Sequence, residues 1–395
     1  MLSEAFDRYP HLLLRLSGKS PEESVGSLDA TEETKARARP PKGEEEMTLL
    51  YIAKAVGVVI AACFIYLFLV AIHPGMSVPP QPLEKTTQPA SEKDTPRTGL
   101  RKDVSFEVEG TSLSAWLYLP DDVSAPVPCI IMGNGFGGTK DMVMEPYALR
   151  YQAAGFAALT FDYRHFGESE GEPRQLVVIQ YQLEDYKAAI TYARKLKEVD
   201  PARIALWGTS ASGGYGIVIA AQDKGIACVC AQCPGLDSHA SEEMYVKRLG
   251  IRHILRLIMH GQRDVMRSRL GLSPHKIPIV GKPGSIALFP MSDAYDSYRK
   301  LASENFVNEV CARVILRSHG YRPLEHLPKV RCPVLIQICD HDSLAPTCAE
   351  TEKELRKYAE VKRYPIGHFD IYTGSDFEQS VSDQLAFFKK HLCDL

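Results

Sequence analysis

One stretch limits the folds open to this chain more than any other, and it reads Arg203-Ile-Ala-Leu-Trp-Gly-Thr-Ser-Ala-Ser-Gly-Gly-Tyr215. Its apolar run at 204–207 is typical of a buried strand and ends at Gly208, two residues before Ser210. Small residues follow, and the apolar residues at 217–221 can form a helix. A strand, a sharp turn carrying a serine and a helix make up a nucleophile elbow. The pattern predicts that the Ser210 hydroxyl stands clear of a sheet, beside the positive end of a helix.

The usual elbow pattern is Gly-x-Ser-x-Gly, and here Ser212 stands at its fifth position, followed by Gly213. Serine is small, so we treat this as a mild departure from the pattern. An ordinary loop containing Gly-Thr-Ser is the alternative interpretation, and the rest of the chain favours the elbow.

Strands and helices alternate from residue 101 onward. The predicted strands are 104–108, 113–119, 128–133, 156–161, 204–207, 226–233, 333–338 and 361–364. The predicted helices, besides the one after the elbow, are 141–154, 176–196, 347–358 and 377–392. This alternation predicts an α/β fold whose mainly parallel sheet has helices on both faces, with an antiparallel pair at its start. Residues 236–327 interrupt the rhythm and are too long for a loop, so we expect a mostly helical lid inserted above the carboxyl ends of the strands.

An apolar run precedes this domain. Thr48–Ile72 contains one charge, Lys54, and as a helix would be about 37 Å long. That length crosses a hydrocarbon core of about 30 Å with some tilt. A buried core helix is the alternative, but the polar segments on both sides favour a single transmembrane helix.

The flanking charges predict the orientation of this span. Lys35, Arg37, Arg39 and Lys42 precede it, and within a similar distance only Lys85 follows. The positive-inside rule then places the amino terminus in the cytosol and the large domain in a lumen or outside the cell. Two features argue for the opposite orientation: cysteines in apolar, strand-like surroundings, and a chain without an Asn-x-Ser/Thr glycosylation site.

The domain organisation follows from these segments. Residues 1–46 are rich in charge and predict a disordered tail, 48–72 the membrane helix, 73–100 a Pro-rich linker and 101–395 the folded domain. The formal net charge of −3 gives no reason to expect a nucleic-acid partner.

The candidate catalytic residues follow the elbow in chain order. An activated serine needs a base and an acid that orients the base, and in this fold the order is Ser, Asp or Glu, His. Asp342, after a predicted strand, is the expected acid, with Asp340 as the second choice; a turn or capping role suits either. His368, on a loop after the last strand, is the expected base. The oxyanion donors should be the N–H groups of Ala211 and, from the loop at 133–138, of Phe136.

Several motifs resemble those of known hydrolases. The loop Phe161-Asp-Tyr-Arg-His-Phe-Gly-Glu-Ser-Glu-Gly-Glu-Pro-Arg174 resembles the signature of α/β-hydrolases related to X-Pro dipeptidyl-peptidases and dienelactone hydrolases. With 207–214 and 231–234, it is most similar to the branch of fungal polyketide transferases and thiohydrolases. The resemblance covers about 101–235 and 328–395, not the lid. It departs at Asn134-Gly135, where the family usually has His-Gly.

The resemblance implies hydrolysis or transfer of an acyl group through an acyl-serine. We therefore expect a membrane-anchored serine hydrolase acting on a small-molecule ester or thioester, without metal or organic cofactor. The alternatives are an acyltransferase with the same triad, and an inactive hydrolase fold that serves as a tethered binding module. A peptidase stays open, although the lid offers no assignable acidic anchor for a peptide amino group.

Two further clusters allow more than one interpretation. Cys228, Cys230 and Cys233 lie on a predicted strand, so we expect buried thiols rather than a zinc site. The lid segment 247–269 interleaves basic with apolar residues. It is interpreted as a lid helix with a solvated face or as a basic amphipathic helix that contacts lipid headgroups or an acidic acyl carrier.

Overall fold

The computed structural model describes residues 42–83, 99–121 and 124–393. The predicted tail lies outside the described residues up to position 41, and so does the predicted linker over 84–98. The described residues divide into two compact units, one ending at Ala61 and the other beginning at Ala62.

Helix α1, Lys42–Ile72, contains the predicted span. Its part from Met47 to Ile72 is the one described helix long and apolar enough to cross a membrane, by length and composition. A short 3-10 turn, Pro74–Met76, follows it.

The second unit contains an eight-stranded sheet with the order β1-β2-β4-β3-β5-β6-β9-β10. Its strands are β1 Leu100–Val108, β2 Thr111–Leu119, β3 Val127–Gly133, β4 Ala157–Phe161, β5 Val199–Thr209, β6 Ile226–Gln232, β9 Val334–His341 and β10 Glu360–Gly367. β1, β2 and β4 are joined antiparallel, and the remaining neighbours are parallel. The predicted fold class is therefore confirmed.

Helices cover both faces of the sheet. They are α2 Met144–Ala153, α3 Ile179–Ala193, α4 Ala211–Gln222, α9 Ala349–Leu355 and α10 Gly374–Leu392. Two large clusters of buried apolar side chains fill the two sides, one around Ile131 and Leu206, the other around Trp207 and Phe388. Because the side chains of successive strand residues point to opposite faces of the sheet, Leu206 and Trp207 belong to different clusters. Strands buried on both faces explain the continuous apolar runs of the sequence.

The lid comprises several helices and one short antiparallel ladder. Its elements are α5 Ser238–Leu249, α6 Ile251–Arg269, β7 Lys276–Ile277, α7 Ser292–Leu301, β8 Val310–Cys311 and α8 Val314–Arg317. The ladder between β7 and β8 is not apparent from the sequence, since two-residue strands have no periodicity. The carboxyl ends of β5, β6, β9 and β10 lie at one edge of the sheet because these strands are parallel.

Candidate active site

The elbow lies between β5 and α4. Ser210 has φ 53° and ψ −118°, a strained conformation for a residue with a side chain. Its N–H donates to the Gln232 carbonyl at 2.9 Å, and its own carbonyl accepts from the N–H groups of Gly213 and Gly235. A Cβ at Gly208 would lie 2.2 Å from the Ser212 carbonyl oxygen, so only glycine fits there. The turn is thus held by hydrogen bonds and by the close approach of two backbone segments.

A buried acid–base pair lies at the ends of the next strands. Asp342 follows β9 and His368 follows β10, and the His368 Nδ1 is 2.6 Å from the Asp342 Oδ2. The other oxygen of Asp342 accepts hydrogen bonds from the N–H groups of Leu344 and Ala345. Both side chains are buried. The carboxylate is therefore fixed in place and oriented toward the histidine ring.

The two ionisable groups shift each other's pKa. Burial opposes the charged histidine ring, but Asp342, through its charge and hydrogen bond, together with the neighbouring Cys233, outweighs burial and raises the pKa of His368 well above its usual value. Burial also opposes the carboxylate, yet His368 and the two backbone N–H donors lower the pKa of Asp342. Each shift favours a charged pair.

The loop after β3 approaches the elbow. A Cβ on Gly135 would lie 3.3 Å from the Cβ of Ser210 and 3.9 Å from its Oγ, so this backbone faces the candidate nucleophile. Phe136 comes next, and Ala211 is the first residue of α4. Both line one cavity. The two predicted oxyanion donors therefore border the same space beside Ser210.

Asn134 shapes this loop from within. Its side-chain nitrogen donates to the carbonyl oxygens of Thr139 and Met142, and its side-chain oxygen accepts from the Gly135 N–H at 2.7 Å. Its backbone carbonyl accepts a hydrogen bond from the Ser212 hydroxyl. Asn134, at the position where the family usually has histidine, thus links the two ends of the loop through hydrogen bonds of its side chain to the backbone.

The signature loop supports the oxyanion loop. The Asp162 carboxylate accepts from the Lys140 backbone N–H at 2.6 Å, from its Nζ at 2.8 Å and from the Glu168 N–H. A Cβ on Gly167, which has φ 51°, would lie 2.3 Å from that carboxylate, so glycine is required. The acidic and glycine residues of this motif therefore have a structural role.

The cavity above the elbow has a volume of about 570 Å³ and is mainly apolar. Phe136, Ala211 and Tyr215 contribute to it from the sheet side, and Leu257, Ile258 and Phe289 from the lid. The Tyr298 hydroxyl of α7 donates to the Phe136 carbonyl at 3.2 Å, and Phe289 packs edge-on against the Phe136 ring. The lid therefore covers the cavity and also contacts Phe136, whose N–H is a predicted oxyanion donor.

Comparison with known proteins agrees with this architecture. The profile of the X-Pro dipeptidyl-peptidase family, S15, matches residues 109–260. The quorum-quenching protein AidA of Acinetobacter baumannii is 40% identical over 296 residues, covering 73% of this chain and 94% of AidA. The thiohydrolase apmlB of Arthrinium phaeospermum is 38% identical over 311 residues, covering 74% and 98%. The chain is an α/β-hydrolase of the serine hydrolase type.

A solved structure of an α/β hydrolase has the same fold as this chain. The crystal structure of the α/β hydrolase GrgF from Penicillium sp. sh18 superposes with a TM-score of 0.62 at 27% identity, covering 74% of this hydrolase and 99% of GrgF. Other relatives are named polyketide transferase or thiohydrolase. The resemblance inferred from the motifs, and enzymatic function, are thereby confirmed.

The remaining sequence predictions for this hydrolase concern residues around the predicted triad. Asp340, the second choice for the acid, forms a 2.7 Å ion pair with Arg363. Cys228, Cys230 and Cys233 are buried thiols on and after β6. Within the described ranges, no group of three or more His, Cys, Asp or Glu side chains could hold a metal ion.

Sequence reasoning missed the residues that position the site from a distance. Tyr298 and Phe289 belong to the lid, whose sequence matches no motif. The Tyr163 hydroxyl lies 2.7 Å from the Ser212 hydroxyl, and this contact also went unpredicted. The signal for Tyr163 was present, because it stands in the signature loop; no local pattern marks the other two residues.

Proposed function

We propose that this hydrolase cleaves a carboxylic ester or thioester through an acyl-serine intermediate. Ser210 is the nucleophile, His368 the general base and Asp342 the acid that orients it. The observation that carries the proposal is the buried 2.6 Å contact between Asp342 and His368, at the sheet edge where the strained Ser210 follows β5. A structural ion pair alone would not need a serine on a strained turn at the same edge.

The first half-reaction forms the acyl-enzyme. The Oγ of Ser210 attacks the substrate carbonyl carbon while its proton passes to the Nε2 of His368. The negative charge that develops on the carbonyl oxygen accepts hydrogen bonds from the N–H groups of Ala211 and Phe136. When the tetrahedral intermediate collapses, His368 returns the proton to the leaving oxygen or sulfur, and the bond to the leaving group breaks.

Water completes the cycle. His368 takes a proton from water, the hydroxide oxygen attacks the acyl carbon, and the Ser210 Oγ leaves with the proton that His368 returns. Asp342 keeps the Nδ1 proton directed toward itself in both halves and stabilises the transient imidazolium. The raised pKa of His368 favours this cation.

The cavity favours an apolar acyl group over a peptide amino terminus. Its lining is mainly apolar, and its two lining carboxylates already have partners. Asp237 forms an ion pair with Arg322 at 3.0 Å, and Glu242 lies 2.9 Å from the His319 Nδ1. Neither is free to anchor an ammonium group, whereas a dipeptidyl-peptidase needs such an anchor.

Labelling with a fluorophosphonate tests the nucleophile. The wild type should be labelled, and Ser210→Ala should lose labelling and about 10⁶-fold of the turnover rate. Ser105→Ala, an exposed serine on β1, is the matched control and should label normally. A folded wild type that resists labelling would support the inactive binding module instead.

Acyl transfer is the second candidate, and the relatives named polyketide transferase favour it. The same acyl-serine would then react with an alcohol or amine in place of water. Product analysis with a soluble thioester and an added alcohol separates the two: ester formation at the expense of free acid identifies a transferase. Free acid as the main product supports the hydrolase.

We also propose that Thr48–Ile72, within α1, anchors the enzyme in a membrane, with the catalytic domain in a lumen or outside the cell. The length and composition of the helix support the anchor, and the basic residues before it support the orientation. The full chain should resist alkaline extraction from membranes, and in sealed microsomes its domain should withstand protease until detergent is added. Digestion without detergent would reverse the orientation.

A further inference from the structure

The lid helix α6 forms a wall one helix thick between the cavity and the exterior. Ile254, Leu257 and Ile258 line the cavity on its inner side. Ile251, Leu255 and Met259 recur every four residues on its outer side, with exposed fractions of 59%, 52% and 38%. Residues spaced by four lie on one face of a helix, so these three form an apolar stripe, here called the outer stripe.

Basic residues accompany the outer stripe. Arg252 and Arg256 are exposed and lie one position along the helix from Ile251 and Leu255. Neither forms an ion pair with any carboxylate in the described part of the chain. An apolar stripe beside unpaired arginines is typical of a helix lying in the headgroup region of a membrane.

The end of the proposed anchor is joined to this same helix. The Arg263 Nη1 donates to the Val70 carbonyl at 2.7 Å, and the Arg267 Nη1 donates to the Ala71 carbonyl at 3.1 Å. The last carbonyls of a helix lack partners within the helix, and cations at that end also interact favourably with its dipole. Val70 and Ala71 are buried. The carboxyl-terminal half of α6 is therefore fixed at the level where the apolar span ends.

A basic cavity lies at the same place. It measures about 390 Å³, and its lining includes Arg263, Arg267 and Lys276. Lys276 pairs with Glu309 at 3.3 Å, whereas neither arginine forms an ion pair with a carboxylate among the residues described. The cavity thus has a positive charge excess and complements an anionic headgroup next to the span.

The large cavity reaches the surface close to α6. Val246 of α5 and Leu316 of α8 line it and are also exposed. Leu316 contacts α6, since a Cβ on Gly261 would lie 3.0 Å from its Cγ. An apolar acyl chain leaving a bilayer beside α6 would meet apolar side chains at the cavity entrance.

We propose that the outer face of α6 lies on an anionic lipid surface and that the enzyme takes a long-chain acyl ester or thioester from that surface. This inference rests on the proposed anchor and on the proposed ester or thioester chemistry. The occupant of the outer stripe is the headgroup region of the membrane in which α1 is inserted. The proposed function names an ester or thioester; the substrate is here further specified as one that is dissolved in the bilayer and not in water.

The lipid contact is tested without catalysis. Leu255→Trp places a reporter on the outer stripe of the full chain, and Tyr358→Trp, an exposed position after α9, is the matched control. In vesicles of brominated phosphatidylcholine and phosphatidylglycerol, bromine should quench the added tryptophan at position 255 and not at 358. Equal quenching at both positions, or at neither, would overturn the proposal.

Substrate delivery is tested by charge reversal. Arg252→Glu with Arg256→Glu should slow cleavage of a palmitoyl thioester held in phosphatidylglycerol vesicles by at least about 25-fold, since each of the two basic residues near an anionic surface contributes about fivefold in binding and the new carboxylates are repelled. Cleavage of soluble p-nitrophenyl acetate should be unchanged, because neither arginine lines the cavity. An equal rate change on both substrates, or none on either, contradicts the inference.

The outcomes separate the two proposals. If the wild type cleaves neither substrate and resists fluorophosphonate, the proposed chemistry fails, while quenching at position 255 still reports on the lipid contact. If the charge variant instead loses activity toward an acyl group on an acidic carrier protein in lipid-free solution, and position 255 stays unquenched, the surface binds a protein and the lipid proposal is wrong.

Discussion

The hydroxyl of Ser212 donates a hydrogen bond to the backbone carbonyl of Asn134, so the residue that departs from the usual elbow pattern contacts the residue that stands where the family usually has histidine. Ser212 takes the place of the second glycine of the elbow, and Asn134 that of a histidine. The Tyr163 hydroxyl is 2.7 Å from the same serine oxygen. Space for this arrangement depends on Gly133, where a Cβ would lie 2.9 Å from the Ser212 Cβ. The elbow is thereby tied to the loop that supplies a predicted oxyanion donor.

We expect Ser212→Ala to lower kcat by about tenfold with little change in KM, because the oxyanion loop loses a fixed contact and the N–H of Phe136 is less well placed. The lost hydrogen bond should also lower the free energy of unfolding by about 1 kcal/mol. Steady-state kinetics and chemical denaturation measure the two effects. A stability loss with unchanged kcat would mean that the contact only supports folding.

Asp342→Asn should lower kcat by about 10⁴-fold, as loss of the orienting carboxylate does in other serine triads. The pH profile provides a second measure. Asp342 raises the pKa of His368, and only the neutral ring acts as a base, so activity rises with pH through that pKa. Removing the carboxylate lowers this pKa, and the acidic limb of the profile should move to lower pH.

The matched variant is Asp340→Asn, which removes only the exposed ion pair with Arg363. Its kcat and the position of its acidic limb should match those of the wild type. If Asp340→Asn shifted the limb and Asp342→Asn did not, the assignment of the acid would be reversed.

Much of this fold could be predicted because it depends on local pattern. The continuous apolar runs of β3 and β6 follow from burial on both faces, and the elbow follows from the small residues around Ser210. The contact between Asp342 and His368 was expected from chain order, since parallel strands bring their carboxyl ends to one edge. Their catalytic roles remain predictions for the experiments above.

The lid could not be predicted in the same way. The bond from Tyr298 to the Phe136 carbonyl joins residues far apart in the chain, and neither stands in a recognisable pattern. The contact of Arg263 and Arg267 with the end of α1 likewise depends on tertiary packing. The sequence did indicate the basic, amphipathic character of α6, but not that this helix meets the end of the apolar span.

Gly208→Ala should prevent the elbow from forming. The new Cβ would lie 2.2 Å from a backbone oxygen that cannot move without shifting α4. We expect a loss of several kcal/mol in stability, together with loss of fluorophosphonate labelling. The control is Gly216→Ala, inside α4, where the nearest atom would be 3.4 Å away. Alanine favours helix there, so this variant should be at least as stable as the wild type.

Lys140→Ala should be among the most damaging substitutions remote from the predicted triad. The Lys140 side chain is buried, and its Nζ lies 2.8 Å from the equally buried Asp162 carboxylate. Without it the carboxylate lacks its countercharge, which should cost about 3–5 kcal/mol in thermal or denaturant unfolding. Lys102→Ala, which breaks a more exposed pair with Glu198, should cost less than about 1 kcal/mol.

The damage caused by Lys140→Ala should depend on pH in a defined direction. Burial already raises the pKa of Asp162 despite the attraction of Lys140, and removing the lysine raises this pKa further. In the unfolded chain the pKa of an aspartate carboxyl is about 4. When folding raises that pKa, the carboxyl stabilises the folded state less as the pH increases above about 4. The stability difference between Lys140→Ala and the wild type should therefore shrink toward pH 4 and widen toward neutrality. A difference independent of pH would show that lost packing, and not the unpaired carboxylate, dominates.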